Sequence, residues 1–453
     1  MFLRLTIAFS LSLCVAWPAG ADNQSEPIIT TAKGASASGE RLEVDPGREH
    51  QAMITRQFEQ FDRNYSENRL EYGRRMNAVA YLLAKAEAEG KDLHCSQQMY
   101  LEAKWLYRYT ALWSRLGEKL DRIEISLEDP DQHYAAAQSP VDGHWGVCYE
   151  EYFMRIGATV AGLQKLVDEG RAPRYRITSL RELDTPKKLL DRMQSLLVSD
   201  IAHTGVDNRG ELASLMISLS QSVFKQHLSA KWVEAVDLTT STRLSAVAEA
   251  FKFFLTGAQD HETGWWGAWY LDGDRIVKTA DLSMTYHIVA YARGDVERWP
   301  AIIETLRARE EATYPYGWRA RMNWNNHNLY DVARILRFGW PHISEADQAW
   351  ARDKIPEMIA WSLRNTLDKD GGFRLEEGFS DSLASAYYFG VSFLEEVGHW
   401  TAARRFWTDA PPPADGARLC ASIGDALDTL GESSWAADAA RLKLERNCAA
   451  TPG

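Results

Sequence analysis

The sequence predicts an all-α protein in which residues 186–410 form an α/α-toroid, an incomplete ring of helical hairpins, after a helical N-terminal region. Apolar residues recur at spacings of three and four along most of the chain, as at Leu101, Trp105, Tyr109 and Leu112, whereas strand-like alternation is nearly absent. From residue 260 onward, glycine–aromatic pairs recur about every 53 residues, which suits one helical hairpin with its loops. Hairpins repeated at this interval, with long tryptophan-rich loops, favour a ring around a cavity over a solenoid.

Periodicity and composition divide the chain into segments. A Ser-, Gly- and Thr-rich stretch without periodicity indicates a flexible segment ahead of the helices. The predicted segments are a signal peptide (1–21), a flexible segment (22–48), an N-terminal helical region (49–185), the toroid domain (186–410) and a C-terminal helical hairpin (411–453). The clearest helical patterns cover residues 57–89, 95–124, 148–169, 189–201, 211–228, 417–430 and 434–447.

The first residues have the pattern of a secretory signal. Arg4 precedes an apolar run from Leu5 to Val15, and small residues lead up to Ala21. We expect cleavage after Ala21, and the run is shorter than the roughly 18 apolar residues that a membrane span needs. No later stretch reaches that length, so we expect a periplasmic or secreted protein without a membrane span.

Composition and cysteine usage restrict the classes of partner and cofactor. Lys and Arg number 51 against 63 Asp and Glu, a net charge of −12 that disfavours a nucleic-acid partner. P-loop, zincin and EF-hand motifs are absent, so we expect no cofactor and no metal. Cysteines that follow the signal are even in number, which indicates two disulfides in an oxidising compartment. Of three possible pairings, the one local in sequence joins Cys95 to Cys148 and Cys420 to Cys448.

The densest group of polar and aromatic residues spans 314–331 and opens a helix that continues through Leu336. His327 and Asp331 lie four residues apart on one helical face, so the carboxylate can orient the imidazole and fix its tautomer. A base oriented in this way, beside the amides of a helix N-terminus, suits proton abstraction next to a carboxylate. The structural alternative is an N-cap, Asn323 or Asn325, followed by a solvated His–Asp pair.

Asn325-Asn326-His327 with Tyr330, then Asp370-Gly371-Gly372-Phe373 with Glu377, and then a helix with Tyr387 form a pattern that resembles the catalytic half of the alginate lyases. The resemblance covers about residues 317–397. Those enzymes are α/α-toroid polysaccharide lyases that cleave acidic glycans by β-elimination. The resemblance implies that Asn326 binds the uronate carboxylate and that His327 and Tyr387 transfer the protons.

The family's arginine, which helps to neutralise the uronate carboxylate, is replaced near Ser380 and Asp381. That task would fall to Arg319, Arg321 or Arg374, and the segment from Arg319 to Arg337 holds four arginines against one acid, which favours docking of a polyanion. Aromatic side chains near loops stack on sugar rings. We therefore expect an acidic polysaccharide or oligosaccharide to contact the following aromatic residues: Trp265, Trp266, Trp324 and Tyr330.

Two other functions stay open. A non-catalytic envelope scaffold or glycan-binding protein needs only surface aromatics, and its N-terminal helical region would bind an envelope partner. Tyr387 also fits the apolar stripe of its helix, which favours a core tyrosine. A glycoside hydrolase needs two facing carboxylates. Its candidates flank the two aromatic loops: Glu262, Asp272, Asp274, Asp281, Asp370, Glu376, Glu377 and Asp381.

Overall fold

The computed structural model describes residues 45–91, 93–128, 138–224, 241–375, 382–431 and 434–448. Within these ranges the regular secondary structure is helical apart from three short strands, which confirms the all-α class. The signal peptide, nearly all of the flexible segment, Glu376, Glu377, Ser380 and Asp381 lie outside the described residues.

The described part of the N-terminal region consists of helices with one 3₁₀ turn. These are α1 (Pro46–Phe61), α2 (Tyr65–Ala88), α3 (His94–Tyr109), α4 (Trp113–Glu128), α5 (Tyr152–Asp168) and the turn Ser179–Leu183. Helix α1 begins within the segment expected to be flexible, because Asp45 accepts a hydrogen bond from the amide of Gly47 and Pro46 occupies the first turn.

Two helices that the sequence predicts as continuous are each broken once. The predicted helix 57–89 breaks at residues 62–64, and the predicted helix 95–124 breaks at residues 110–112. Thr110 is extended and pairs with Val206, while the amide of Ala111 donates to the carbonyl of Gly205 at 2.8 Å. The backbone therefore leaves the helix because residues about a hundred positions later supply its hydrogen bonds.

The second half of the described chain is also mainly helical. Its helices are α6 (Pro186–Leu197), α7 (Ile201–Thr204), α8 (Arg209–Phe224), α9 (Ser241–Ala258), α10 (Leu282–Tyr291), α11 (Trp299–Ala308), α12 (Asn326–Gly339), α13 (Glu345–Asn365), α14 (Leu383–Glu396), α15 (Gly416–Thr429) and α16 (Trp435–Cys448), with 3₁₀ turns at Trp340–His342 and Ala402–Arg404. The last two helices form the predicted C-terminal hairpin, since α15 packs on α16.

A three-stranded sheet was not expected from the sequence. Strand β1 (Val198–Ser199) pairs in parallel with β2 (Trp269–Asp272), and β2 pairs antiparallel with β3 (Arg275–Lys278). The turn between β2 and β3 contains Gly273 at φ 65°, a conformation that glycine adopts at little cost. Strands of two and four residues are too short to show a clear alternation of apolar and polar residues.

Six helices form a row in chain order: α5, α8, α10, α12, α14 and α16 each pack against the next. The helices between them, such as α11, α13 and α15, pack on members of this row. A ring of hairpins has this order of contacts, with alternate helices on its inside. Closure of the row into a toroid stays a prediction.

Helix α1 packs against segments from the second half of the chain. Asp45 accepts hydrogen bonds from the backbone and the hydroxyl of Thr313, and the His50 and Tyr316 rings lie 5.0 Å apart. The amide of Gln57 donates to the carbonyl of Leu271 at 2.9 Å. These contacts attach the first described helix to the loop before α12 and to strand β2.

Both predicted disulfides form. Cys95 joins Cys148 with their Cα atoms 5.3 Å apart, and Cys420 joins Cys448 with a Cα separation of 5.6 Å. This confirms the pairing local in sequence, and structural disulfides are typical of proteins outside the cytoplasm. Among the helices described, none is both long and apolar enough to cross a bilayer.

Removal of the second disulfide tests the contribution of the C-terminal hairpin to stability. We expect Cys420→Ala with Cys448→Ser to lower the free energy of unfolding by about 3–4 kcal/mol, because the 28-residue separation no longer restricts the unfolded chain. Urea denaturation measures the change. Thiol titration of the denatured wild type is the control and should find no free thiol from these four cysteines; reactive thiols there would contradict the pairing.

Candidate functional site

Asn326, predicted to bind a uronate carboxylate, is a core residue. Its side chain is fully buried, its amide donates to the Thr366 hydroxyl at 2.9 Å, and its carbonyl oxygen accepts from the Ser362 hydroxyl at 2.6 Å. Both partners belong to α13 or its C-terminal cap. Asn326 therefore joins α12 to α13, and its amide does not face a cleft.

His327 is also buried, and Asp331 does not orient it. The Nδ1 atom of His327 lies 3.0 Å from the side-chain oxygen Oδ1 of Asn328. The side-chain amide nitrogen Nδ2 of the same Asn328 donates to the backbone carbonyl of Trp318 at 2.7 Å. Because this second bond fixes the amide orientation, Nδ1 of His327 carries the proton. Burial raises the pKa of Asp331 well above its usual range, against the nearby Arg334. This shift favours the protonated carboxyl, and neither carboxyl oxygen of Asp331 has a hydrogen bond to His327, so the predicted orientation of the imidazole by Asp331 is not formed.

Tyr387 faces away from His327. The Tyr387 side chain is 2% exposed, its phenol is hydrogen-bonded to the backbone of Phe373, and the two rings lie 5.4 Å apart. The His327 ring instead lies 4.4 Å from Phe389, two positions further along α14. Residues two apart point to nearly opposite sides of a helix. Asn326, His327 and Tyr387 therefore do not converge on one open cleft.

The three arginines predicted to replace the family's arginine lie at the surface. Arg319 pairs with Glu311 and donates to the carbonyl of Met322. Arg374 is exposed and pairs with Asp368 at 2.6 Å. Arg321 is exposed in a turn, at φ 59°.

The predicted tryptophan platforms are packed inside the protein. Trp265 and Trp266 are buried, and their indole N–H groups donate to the carbonyls of Ile302 and Leu255. The sequence does not distinguish a loop tryptophan that stacks on a sugar from one that packs in the core, because both kinds of tryptophan occur after a glycine. Trp324 is half-buried and lies 6.1 Å from Trp361 on α13.

The described carboxylates proposed for glycoside hydrolysis do not form a facing pair in the row. Asp281 is fully buried, caps α10 and pairs with Arg209 at 2.7 Å. Asp272 pairs with Arg275 in the β2–β3 turn, where Asp274 is exposed. The other described candidates, Glu262 and Asp370, are exposed.

A different group of side chains converges between consecutive helices of the row. We call it the tyrosine–arginine cluster, and its members are Tyr286 on α10, Tyr330 and Arg334 on α12, Tyr388 on α14 and Lys443 on α16. Arg334 donates to the phenol oxygen of Tyr330, and the rings of Tyr286 and Tyr330 lie 5.6 Å apart. The Nζ atom of Lys443 lies 6.0 Å from the Tyr330 ring and 5.9 Å from the Tyr388 ring.

Several members of the cluster remain accessible although neighbouring helices pack on both sides. The Arg334 side chain is 31% exposed, and Tyr286 and Tyr388 are half-buried. The middle of the packed row therefore presents partly exposed aromatic and cationic side chains. Tyr330, which the sequence predicts to contact the substrate, is itself buried beside these side chains.

His287 adds a base of defined tautomer to the cluster. Its Nδ1 lies 2.7 Å from the carbonyl oxygen of Ser283. A carbonyl only accepts hydrogen bonds, so Nδ1 carries the proton and Nε2 is the unprotonated nitrogen. Burial, with a smaller contribution from Arg334, lowers the pKa of His287 to about 4. The half-buried imidazole is therefore neutral at pH 7, and its ring lies 4.6 Å from that of Tyr286.

Sequence analysis missed His287, Tyr286 and Tyr388, and it included Arg334 only among the four arginines of the segment that favours docking of a polyanion. Helix α10 reads as an ordinary apolar helix, and Tyr388 follows the tyrosine chosen from the family pattern. A usable signal was present, because Tyr330 and Arg334 are four residues apart and so share a face of α12.

Neither a metal centre nor a known relative identifies the site. Within the described ranges, no group of three or more His, Cys, Asp and Glu side chains could hold a metal ion. Comparison of the chain with models of protein families, with characterised proteins and with solved structures gives no match.

Substitution of Asn326 tests whether it is structural. We expect Asn326→Ala to lower the free energy of unfolding by about 2 kcal/mol, since the buried Ser362 hydroxyl loses its acceptor. The matched control is Asn365→Ala on the same pair of helices, an exposed residue whose loss should change stability by less than about 0.5 kcal/mol. Urea denaturation separates the two variants, and equal effects would argue against a core role.

Four histidines with lowered pKa values predict a pH dependence of stability. Burial lowers the pKa values of His50, His287, His327 and His399 to about 4. The unfolded chain, with histidine pKa values near 6.5, then binds more protons between about pH 6.5 and 4, so each histidine decreases stability as the pH falls through that range.

Melting temperatures of wild type and His327→Gln, measured from pH 7 to pH 4, test this sign. We expect the variant to lose less stability than wild type over the range. His203→Gln, which replaces an exposed histidine, should follow the wild-type curve. A steeper acid loss in His327→Gln than in wild type would contradict the prediction.

Proposed function

We propose that the protein cleaves an acidic, uronate-containing glycan by β-elimination, and that the tyrosine–arginine cluster together with His287 is its active site. One observation carries this proposal: a partly exposed arginine lies beside a neutral histidine of defined tautomer and three tyrosines. Elimination next to a carboxylate needs a cation for that carboxylate, a base and an acid.

Arg334 would bind the uronate carboxylate. The nearby Tyr330 and Tyr286 outweigh the effect of burial and keep the pKa of Arg334 raised, so the guanidinium is charged. A charged group fixed before the substrate arrives stabilises the negative charge that develops on the carboxylate when the C5 proton leaves. Arg334 takes the place of the family arginine that the sequence lacks near residue 380.

His287 would remove the C5 proton through Nε2. A histidine with a pKa of about 4 is a weak base in the free protein, and the positive charge of Arg334 contributes to that low value. When a substrate carboxylate neutralises Arg334, this smaller contribution would disappear and the pKa of His287 would increase, while the larger effect of burial remains. Substrate binding would in this way activate the base.

Tyr286 would protonate the leaving oxygen. Burial raises the pKa of its phenol well above 10, so it holds its proton at neutral pH. The C5 proton moves to His287, the C5–H electron pair forms the C4=C5 double bond, and the C4–O4 bond breaks as O4 takes the Tyr286 proton. Exchange with solvent then removes the extra proton from His287 and returns a proton to Tyr286. The half-buried rings of Tyr388, Phe389 and Trp435, neighbours at 5.0 Å, supply platforms for sugar rings.

The second candidate function is binding of an acidic glycan without cleavage. The burial of Asn326, His327 and Tyr387 favours it, because the residues that carry the resemblance to lyases support the core instead. Either function fits export, and the two disulfides support our proposal that the chain is periplasmic or secreted after cleavage at Ala21. Binding of an envelope partner by the N-terminal helices stays a prediction.

Absorbance near 235 nm, where an unsaturated uronate absorbs, tests the proposed elimination chemistry on a panel of uronate glycans. We expect the signal to grow with wild type and kcat/KM to decrease roughly 10²–10³-fold in Arg334→Gln. His287→Ala should also lose activity. The matched control is Arg374→Gln, the exposed arginine paired with Asp368, which should retain wild-type rates.

The variants separate the alternatives. Loss of activity in Arg374→Gln with retention in Arg334→Gln would overturn the proposed site. Binding of a uronate glycan to wild type, without any signal near 235 nm, would support the non-catalytic function.

A further inference from the structure

Two adjacent glutamates at the end of α14 are surrounded by more cationic side chains than their two negative charges neutralise. The side chains of Glu395 and Glu396 are each 5% exposed. Glu395 accepts ion pairs from Lys443 at 2.7 Å and from Arg404 and Arg446 at 3.6 Å each. A buried carboxylate requires such partners, but one cation would balance its charge.

Glu396 also pairs with more than one cation, and its partners belong to α12. Its carboxylate lies 2.5 Å from Arg337 and 3.9 Å from Arg334. We call the five cations around the two glutamates the basic cluster; its members are Arg334, Arg337, Arg404, Lys443 and Arg446. In the described part of the chain their ion pairs involve these two carboxylates, which leaves three positive charges in excess on a protein of net charge −12.

The excess charge is accessible to a ligand. The side chains of Arg404 and Arg446 are 42% and 54% exposed. Burial and the nearby cations Arg404 and Arg334 lower the pKa of Arg337, against the effect of Glu396. Cations that repel one another in this way gain from a further anion at the surface.

The basic cluster is continuous with the proposed active site. Arg334 belongs to both groups, and Lys443 lies over the rings of Tyr330 and Tyr388 while its ammonium pairs with Glu395. Positive charge therefore extends from the tyrosines to the rim formed by Arg404 and by Arg446 on α16. The C-terminal hairpin supplies two of the five cations, Lys443 and Arg446.

We propose that the basic cluster is a second anion subsite, at which Arg404 and Arg446 bind a further uronate of a glycan chain that extends from the active site. The proposal rests on the proposed function in that Arg334 holds the first uronate. It specifies the ligand as a chain with repeated negative charges, longer than one sugar. A glycan suits the site better than a nucleic acid, because the aromatic rings lie at one end of the basic surface and the rest of the protein is acidic.

Affinity for alginate oligosaccharides of increasing length, measured at several salt concentrations, tests the subsite. We expect Arg404→Ala with Arg446→Ala to weaken binding of long oligosaccharides by about tenfold and to reduce the salt slope by up to about 2, because two cation–anion contacts are lost. The matched control removes two other arginines, Arg418→Ala with Arg441→Ala; these pair with Asp415 and with Asp428 and Asp438. It should bind like wild type.

The measurement of oligosaccharide binding tests the subsite whether or not the protein is an enzyme. A wild-type salt slope in Arg404→Ala with Arg446→Ala, or an equal loss in the control, overturns the subsite, and so does tighter binding of single-stranded DNA than of the glycan. Elimination activity together with an unchanged slope would refute the subsite alone. Weakened binding without any signal near 235 nm would support the subsite and refute the catalytic proposal. The single variant Arg446→Gln, at the more exposed position, repeats the test if the double variant is unstable.

Discussion

Two glutamates buried next to each other, Glu395 and Glu396, hold the last three helices of the row in register. A buried carboxylate that loses its partner destabilises a protein by roughly 3–5 kcal/mol, so helices α12 and α16 must each present cations to α14. Arg337 supplies one from α12, and Lys443 supplies one from α16. The same requirement brings Lys443 over Tyr330 and Tyr388. The position of Lys443 and Arg334 beside the tyrosines is in this sense a consequence of how two carboxylates are neutralised.

Sequence periodicity was sufficient for the fold class and insufficient for the site. Spacings of three and four identify helices whatever they pack against, and even cysteine numbers with short separations identified both disulfides. The same periodicity cannot tell a face that lines a depression from one that meets another helix. Asn326 and His327 form a polar face at a helix start, as a catalytic face would, yet Ser362 and Phe389 cover them.

The residues that resemble the lyase motif and the residues that are accessible differ by short distances along the same helices. On α12 Arg334, two turns after His327, is a partly exposed charged side chain. On α14 it is Tyr388 rather than Tyr387 that is half-buried among the cluster. A shift of one residue rotates a side chain by about 100° around a helix. A short motif therefore indicates a shared function only when its helix is also turned to the same side about its own axis.

The packing of α1 has a consequence for how the chain becomes folded. Asp45 bonds to Thr313 across 268 positions, and Gln57 bonds to Leu271 across 214. Contacts between such distant parts of the chain form late, because a long loop must close before they are gained. A newly made chain therefore carries α1 without its partners Leu271 and Thr313 until those later segments have emerged. During that interval α1 is a site that a chaperone can bind, and premature release would favour aggregation.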